Sequence, residues 1–458
     1  MSKTKMDHEQ SGYEHAAIPE IKDQLLKGTI DRREFLRTTT LLGLSATAAY
    51  SFANLIEGPQ IIKSAQAQGK KGGTIRCAMQ IQEMTDPASY DWVPKSNVGR
   101  QICEYLTITG ADNVTRPYLV EKWVPSADLK TWTLHIRKGV KFGNGDELTA
   151  DDVIFNIKRW LDPKTGSSMV GMLNSMLDVA DGKDKDGKTI KIKTMTPGAA
   201  EKVDKYTIRI RLNSPDLSIP EKLYHYPAAI VHRSFEEKGS DISKNPDLGT
   251  GPYTLAEFKV GEKAILKRRG GGFKYWGEDP FLDEIHYIDT GSDTSASLAA
   301  LASDQVDTLY ILDLALVAAA QSMPGINVLE VTTAQTPVMR IQGDKPPYDD
   351  IRVRQAMQLA ADNEQMLKTA YQGRGEIAEN HHVCGCQPDY APLPKIKRNV
   401  GKAKQLLADA GHASGLNITC NVGNTDGTWE QDSVVILKQN LAEVGVNLNV
   451  NVMPSAQY

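Results

Sequence analysis

Three short stretches of this sequence hold side chains whose types and spacing could do chemistry. Gly182-Lys183-Asp184-Lys185-Asp186-Gly187-Lys188-Thr189 fits the phosphate-cradling pattern GxxxxGK[ST] letter for letter. That cradle works when a buried strand precedes it and a helix follows, so that backbone amides and the helix dipole face the phosphates. Here a polar Ala180-Asp181 precedes, and a β-type run from Thr189 to Thr194 follows. Two aspartates inside the loop would also repel phosphate. The stretch reads as a charged hairpin loop. It is no EF-hand either, because the first ligand position would be Gly182.

The second stretch, His381-His382-Val383-Cys384-Gly385-Cys386, gathers imidazoles and thiols of the kind that bind zinc, copper or nickel. Adjacent histidines in an extended chain point opposite ways, and a Cys-x-Cys pair is only part of a site. A ligand-facing loop, a plain surface loop and a metal site all stay open for it, and no metal ligand is assigned. Elsewhere there is no GxSxG turn, no HExxH and no GxGxxG after a strand; Gly249–Gly251 runs into proline and strand residues. Neither enzyme chemistry nor a bound cofactor is expected.

The third stretch is Arg32-Arg33-Glu34-Phe35-Leu36-Arg37. A mild apolar run rich in small residues follows, from Leu41 to Ala53. It is shorter than the roughly 20 residues a bilayer-spanning helix needs, and it lacks the polar stripe of a surface amphipathic helix. Ala65-Gln66-Ala67 supplies the small residues of a cleavage site. Together these look like a twin-arginine export signal, with Arg32, Arg33, Phe35 and Leu36 as its core and cleavage at Ala65 and Ala67. The implied partner is the twin-arginine translocase, the implied location the periplasm, and the implied leader residues 1–67. No Cys ends the apolar run, so a lipid anchor is not expected.

The elements that must position any site follow from composition and pattern. The 458 residues, 40% apolar and 24% charged, suit a soluble globular chain of about three domain-sized units. A net charge of −4 offers no basic excess for nucleic acid. Five Cys is an odd number, so at least one thiol stays unpaired in a monomer. Gly72–Met79 reads as a first strand and Val98–Leu106 as an amphipathic segment. Trp132–Ile136 alternates as a half-buried strand. Asn144-Gly145 marks a tight turn, and Thr149-Ala150-Asp151-Asp152 opens a capped helix. β ribbons are expected at Thr189–Thr194 and Tyr206–Leu212, and strands at Tyr253–Phe258, Ala264–Arg268, Leu282–Ile288 and Val306–Ile311. A long helix is expected from Ile351 to Tyr371, and a helix over Gly401–Ala410 ended by Gly411. A strand, helix and strand close the chain at Ile418–Val422, Asp432–Val444 and Val446–Val452.

Four stretches, in this order, resemble the family of extracytoplasmic solute-binding proteins for oligopeptides, dipeptides and nickel. They are Leu119–Trp123 with Trp132–Phe142 and Leu148–Val153; Gly249–Tyr253 with Tyr275-Trp276-Gly277 and Leu282–Ile285; Pro347–Ala356; and Ala403–Gly411. The resemblance implies an α/β, two-lobed periplasmic binding protein of type II, the large three-domain variety, with mixed sheets and a hinge between lobes. Lobe I would be residues 72–115 with 245–335, the accessory domain 116–244, and lobe II 336–458. It implies a peptide-like solute handed to an inner-membrane ABC permease and its ATPase by a monomer. A nickel or metal-chelate binder, or an opine or oligosaccharide binder of the same family, stays open; so does, from another class, a twin-arginine-exported cofactor enzyme. Candidate solute contacts are Tyr90, Trp92, Ser96, Asn97, Arg100, Met169, Met172, His381, His382 and Trp429, with His381 or His382 facing a carboxylate. Family members usually continue past the strand matching Val446–Val452, into a tail that closes lobe I and carries an acidic residue. A truncated C-terminus is therefore expected.

Overall fold

The computed structural model of the chain describes residues 15–45, 48–50, 52–53, 70–183, 187–331, 333, 335–381, 385, 390–423 and 427–453. The chain divides into two compact units, Met1–Asp289 and Thr290–Tyr458.

Two helices, α1 (Ile18–Leu26) and α2 (Arg32–Leu41), stand at the start of unit 1. They belong to the stretch expected to stand apart as a leader. The strand β1 (Thr74–Ala78) is followed by the helix α3 (Val93–Ile102). β2 (Thr107–Thr109) and β3 (Thr115–Pro117) form a small hairpin. Next come β4 (Val120–Pro125), β5 (Thr131–Ile136), α4 (Ala150–Leu161) and the short α5 (Met169–Met172). β6 (Leu177–Lys183) and β7 (Thr189–Met195) pair as an antiparallel ribbon. β8 (Ala200–Asp204) and β9 (Thr207–Arg211) complete a four-stranded antiparallel sheet in the order β4-β5-β9-β8. After α6 (Ile219–Lys222), β10 (Tyr253–Lys259), β11 (Lys263–Arg268) and β12 (Glu284–Ile288) return to β1. β12 pairs with β1 in parallel, Thr74 against Glu284 and Ala78 against Ile288, and with β11 antiparallel.

Much of this was legible locally. Trp132, Leu134 and Ile136 point into the core while their neighbours stay half-exposed. Gly145 turns the Asn144-Gly145 corner at φ +94°. Asp152 reaches back to Thr149, accepting from its amide and its hydroxyl at 2.9 Å each. The GxxxxGK[ST] match starts at the end of β6 and closes at the first residue of β7, the charged ribbon expected of it, with no helix after it. The amphipathic segment expected at Val98–Leu106 overlaps the helix α3, which starts five residues earlier, with Pro94 in its first turn, and ends at Ile102.

One core runs through the segments assigned to lobe I and to the accessory domain, and it includes Trp132, Trp160, Phe142 and Phe235. A buried carboxylate ties it together. Glu104, 2% exposed, accepts from Tyr118 Oη at 2.7 Å, Tyr275 Oη at 2.5 Å and Trp276 Nε1 at 2.8 Å. The family-like Tyr275-Trp276 pair is thus bound to the residue two past the end of α3. The glycines of Gly249-Thr250-Gly251 make that approach possible. A Cβ on Gly249 would stand 2.2 Å from the Ile102 carbonyl oxygen, and one on Gly251 2.5 Å from that of Gln101.

Unit 2 holds α7 (Thr294–Ala302), the two-residue strand β13 (Thr308–Leu309), α8 (Val317–Ser322), α9 (Ile351–Ala360), α10 (Asn363–Thr369), α11 (Val400–Asp409) and α12 (Trp429–Ala442). β14 (Leu416–Val422) and β15 (Val446–Val452) run parallel, in register from Leu416–Val446 to Val422–Val452, with α12 as the crossover. Its core gathers Val353, Met357, Ala403, Leu407, Leu441, Val446 and Leu448. Gly411 ends α11 at φ +90°, as a C′ glycine does. The single helix expected over Ile351–Tyr371 is two. Ala361 is extended, Asp362 accepts from Gln365 N at 2.9 Å to cap α10, and Asn440 of α12 accepts from Asp362 N at 2.9 Å. The strand expected over Val306–Ile311 shrinks to β13.

Burial pushes the Glu104 carboxyl up, against the pull of Tyr275, Trp276 and Tyr118. Glu104→Leu leaves the Trp276 Nε1 donor without its acceptor and the Tyr118 and Tyr275 hydroxyls, 3.1 Å apart, with only each other. The cost is about 2–3 kcal/mol and should lower the melting temperature by about 4–10 °C. The folded pKa being raised, this group favours folding most below the ordinary carboxylate pKa of about 4.3, and less as pH rises toward the folded value. Glu104→Gln cannot ionise. The melting-temperature gap between wild type and Glu104→Gln should therefore narrow from pH 4 upward in a calorimetric series.

Candidate functional site

Unit 1 carries its candidates on and around α3. Trp92 caps the helix from extended backbone and is half-exposed, with Pro94 in the first turn. Asn97 is also half-exposed; its Nδ2 donates to Met79 Sδ at 3.7 Å and its carbonyl accepts from Tyr287 Oη at 3.4 Å. Arg100 folds back one turn, donating from Nη2 to Ser96 Oγ at 3.1 Å and from Nε to the Ser96 carbonyl at 3.3 Å. Trp92, Asn97 and Arg100 thus offer an indole, an amide and a guanidinium from three successive turns.

The other unit 1 candidates lie deeper. Ser96 is fully buried, bonded to the Val93 carbonyl at 2.9 Å, and serves to seat Arg100. Tyr90 is 3% exposed, its ring so close to Gly99 that a Cβ there would stand 2.8 Å from Cε2. Burial holds its phenol well above the ordinary range. Met169 on α5 is fully buried, and Met172 packs half-buried against the same core. Tyr90, Ser96 and Met169 shape the unit from within and offer a solute little surface. The thiols are inert for the same reason: burial pushes Cys103 up to about 12 and Cys77 to about 11, far from a reactive thiolate.

In unit 2, Trp429 is the first residue of α12, just past the carboxyl end of β14. Ligands of open α/β sheets bind off the carboxyl ends of the strands. The half-exposed indole lies against Tyr371, ring centroids 5.0 Å apart at 49°. Two features fix it. Gly427, at φ +141°, leaves room where a Cβ would stand 2.9 Å from the indole Cδ1. Asp313, 5% exposed, accepts from Thr428 N at 3.0 Å and from Ala315 N at 2.9 Å, so one carboxylate clamps the turn before Trp429 to the chain near α8. Neither Tyr371 nor Asp313 stood out in the sequence. Asp313 carries only a cap signal, and Tyr371 a place at the end of a helix.

The histidine-cysteine stretch is described in part. His382, Cys384 and Cys386 lie outside the described residues, as do Ala65 and Ala67. His381 stands 3.2 Å from Glu379, through Nε2 and Oε2. Glu379 also accepts from Tyr390 Oη at 3.1 Å and pairs with Lys395 at 3.2 Å. Its side chain is 10% exposed, and Lys395 foremost holds its carboxyl below the usual range. Glu379 is thus a hub that the sequence did not reveal, its partners lying up to sixteen residues away in a stretch without periodicity. Among the described residues no group of three or more His, Cys, Asp or Glu is placed to hold a metal ion, and no helix is long and apolar enough to cross a membrane.

The match to known proteins is direct over most of the chain. Residues 115–458 fit the model of bacterial extracellular solute-binding proteins, family 5 (middle), and the chain belongs to that family. Among its relatives, the periplasmic oligopeptide-binding protein OppA of Salmonella typhimurium is 24% identical over 449 residues, covering 92% of this chain and 76% of OppA. Two solved structures share the fold. AgaA of A. tumefaciens R10, in complex with agropinic acid, has a TM-score of 0.68 at 23% identity, over 84% of this chain and 74% of that one. NikZ of Campylobacter jejuni, in complex with Ni(L-His), has a TM-score of 0.67 at 19% identity, over the same shares of the two chains.

Asp313→Ala frees two amides and unclamps the turn before Trp429. The expected outcome is a loss of about 1–3 kcal/mol in unit 2, with a red shift of tryptophan emission absent from an Asp313→Ala, Trp429→Phe double variant. Fluorescence-detected urea titration reads both.

Proposed function

We propose that the chain is the extracytoplasmic receptor of an ATP-driven importer. It takes up a peptide-like small solute in the periplasm and passes it to an inner-membrane permease and its ATPase. The observation that carries this reading is the unbroken family match from residue 115 to residue 458. The local chemistry agrees with it. Recognition sites of this kind combine flat apolar faces with a few fixed polar groups. Trp92, Asn97 and Arg100 supply that mixture on unit 1, and Trp429 on Tyr371 supplies a preformed aromatic face on unit 2. Glu379 with His381, Tyr390 and Lys395 adds a polar cluster on the same unit.

A second reading keeps the fold and changes the solute. The solved structures of AgaA and NikZ hold an opine and a nickel-histidine chelate on folds as close to this one as any peptide binder's among those compared. The receptor works as a monomer, without cofactor or nucleic acid. Arg32, Arg33, Phe35 and Leu36 direct it to the twin-arginine translocase, with cleavage at Ala65 and Ala67.

A thermal-shift screen of the protein with di- to pentapeptides, opines and nickel-histidine decides among these solutes. A ligand at one hundred times its Kd adds about 2.7 kcal/mol of stability, a rise of several degrees. Calorimetry on the responding ligand should then show Trp429→Ala about 5- to 30-fold weaker, as loss of a stacked aromatic contact costs about 1–2 kcal/mol. A protein shifted by none of the three classes refutes the reading.

A further inference from the structure

The leader of this chain does not hang free of unit 1. α1, α2 and the helical residues 48–50 and 52–53 close a small core of their own, in which Leu25, Phe35, Leu36, Ala49 and Ala53 surround Val114 from the β2–β3 hairpin. Phe35 and Val114 are both fully buried there. Four polar contacts join the same two partners. The indole Nε1 of Trp123 donates to the Leu41 carbonyl at 3.0 Å, satisfying an acceptor that the end of α2 would otherwise leave open. Arg37 makes a two-pronged pair with Glu221, Nε to Oε1 at 2.9 Å and Nη2 to Oε2 at 3.1 Å, with both side chains mostly covered. Arg33 donates from Nε to the Asp112 carbonyl at 3.3 Å. Arg116 donates from Nη2 to Tyr50 Oη at 2.7 Å, beside Asp112, which bonds both. Even the backbones meet closely: at Gly43, φ +91°, a Cβ would stand 3.0 Å from the Trp123 carbonyl oxygen.

We propose that the surface around Val114, Trp123 and Glu221 is a docking site for the chain's own leader, through its residues 18–45, 48–50 and 52–53. While it is occupied, the Arg32–Arg33 pair is withheld from any receptor. Arg33 donates to the Asp112 carbonyl, the Arg32 guanidinium lies over the Tyr50 ring at 5.9 Å, both arginines half-exposed, and Phe35 and Leu36 are inside the small core. A protein that reads the twin-arginine segment must first draw α2 off unit 1. The docking stands on the contacts alone, and only this consequence rests on the export reading. The device is a latch: the leader is held on the folded unit and becomes readable once it is pulled away.

Limited trypsin digestion of the full 458-residue chain tests it, with cleavage after Arg32 or Arg33 followed by mass spectrometry. Cleavage needs local opening of α2. Wild type should be cut there at least tenfold more slowly than Val114→Asp, and more slowly than Glu221→Lys. Both substitutions lie outside the leader. Glu221→Lys paired with Arg37→Glu restores the ion pair in reverse and should restore protection, a rescue that a misfolded unit 1 could not show. Equal cleavage of wild type and both single variants overturns the proposal. So does protection that grows with protein concentration alongside a dimer mass, since the leader would then sit on a second copy. None of these readouts depends on export or on solute.

Discussion

The carboxylate of Glu104 is the point through which unit 1 is held in shape. It sits two residues past α3, out of reach of water, and accepts from Tyr118 nearby and from Tyr275 and Trp276, which come from far along the chain. An acidic group so buried is costly unless its oxygens are filled, and removal of any donor leaves part of that cost uncovered. The same knot fixes the end of α3, with the glycines of Gly249-Thr250-Gly251 pressed against the last carbonyls of that helix. Trp92, Asn97 and Arg100 ride on α3. Their positions therefore rest on a buried carboxylate and two glycines behind the helix.

Unit 2 solves the same problem with smaller means. A parallel pair of strands and one crossover helix bring the carboxyl end of β14 beside the start of α12. Asp313 then fixes the turn before Trp429 by taking up two backbone amides. Here also a buried carboxylate, far from Trp429 in sequence, decides where an aromatic face stands. A binding protein gains from such rigidity, because an ordered face loses less entropy when it is covered.

The docked N-terminal helices add a constraint of another kind. Their contacts to Val114, Trp123 and Glu221 are those of a real interface in miniature, an apolar centre with charged and hydrogen-bonded edges. The residues that resemble an export signal are the ones that fill it. A sequence selected for both uses needs Phe35 and Leu36 to serve twice.

What the sequence determined by itself was whatever neighbouring residues decide. The Asn144-Gly145 turn, the Thr149–Asp152 cap, the alternation of β5 and the glycine end of α11 depend on residues within a few positions of each other, and the structure has them all. The ribbon reading of Gly182–Thr189 held for the same reason, since a β-type run cannot supply a helix N-terminus. The family, too, was legible, because its four motifs are local strings. Tertiary structure alone decided the rest. Asn440 splits the helix expected over Ile351–Tyr371 from some eighty residues away, Glu379 gathers His381, Tyr390 and Lys395, and burial makes Tyr90, Ser96 and Met169 interior residues. Each depends on a partner brought close only by folding. Periodicity and propensity carry no information about such partners, since they describe a residue's neighbours along the chain and not those across it.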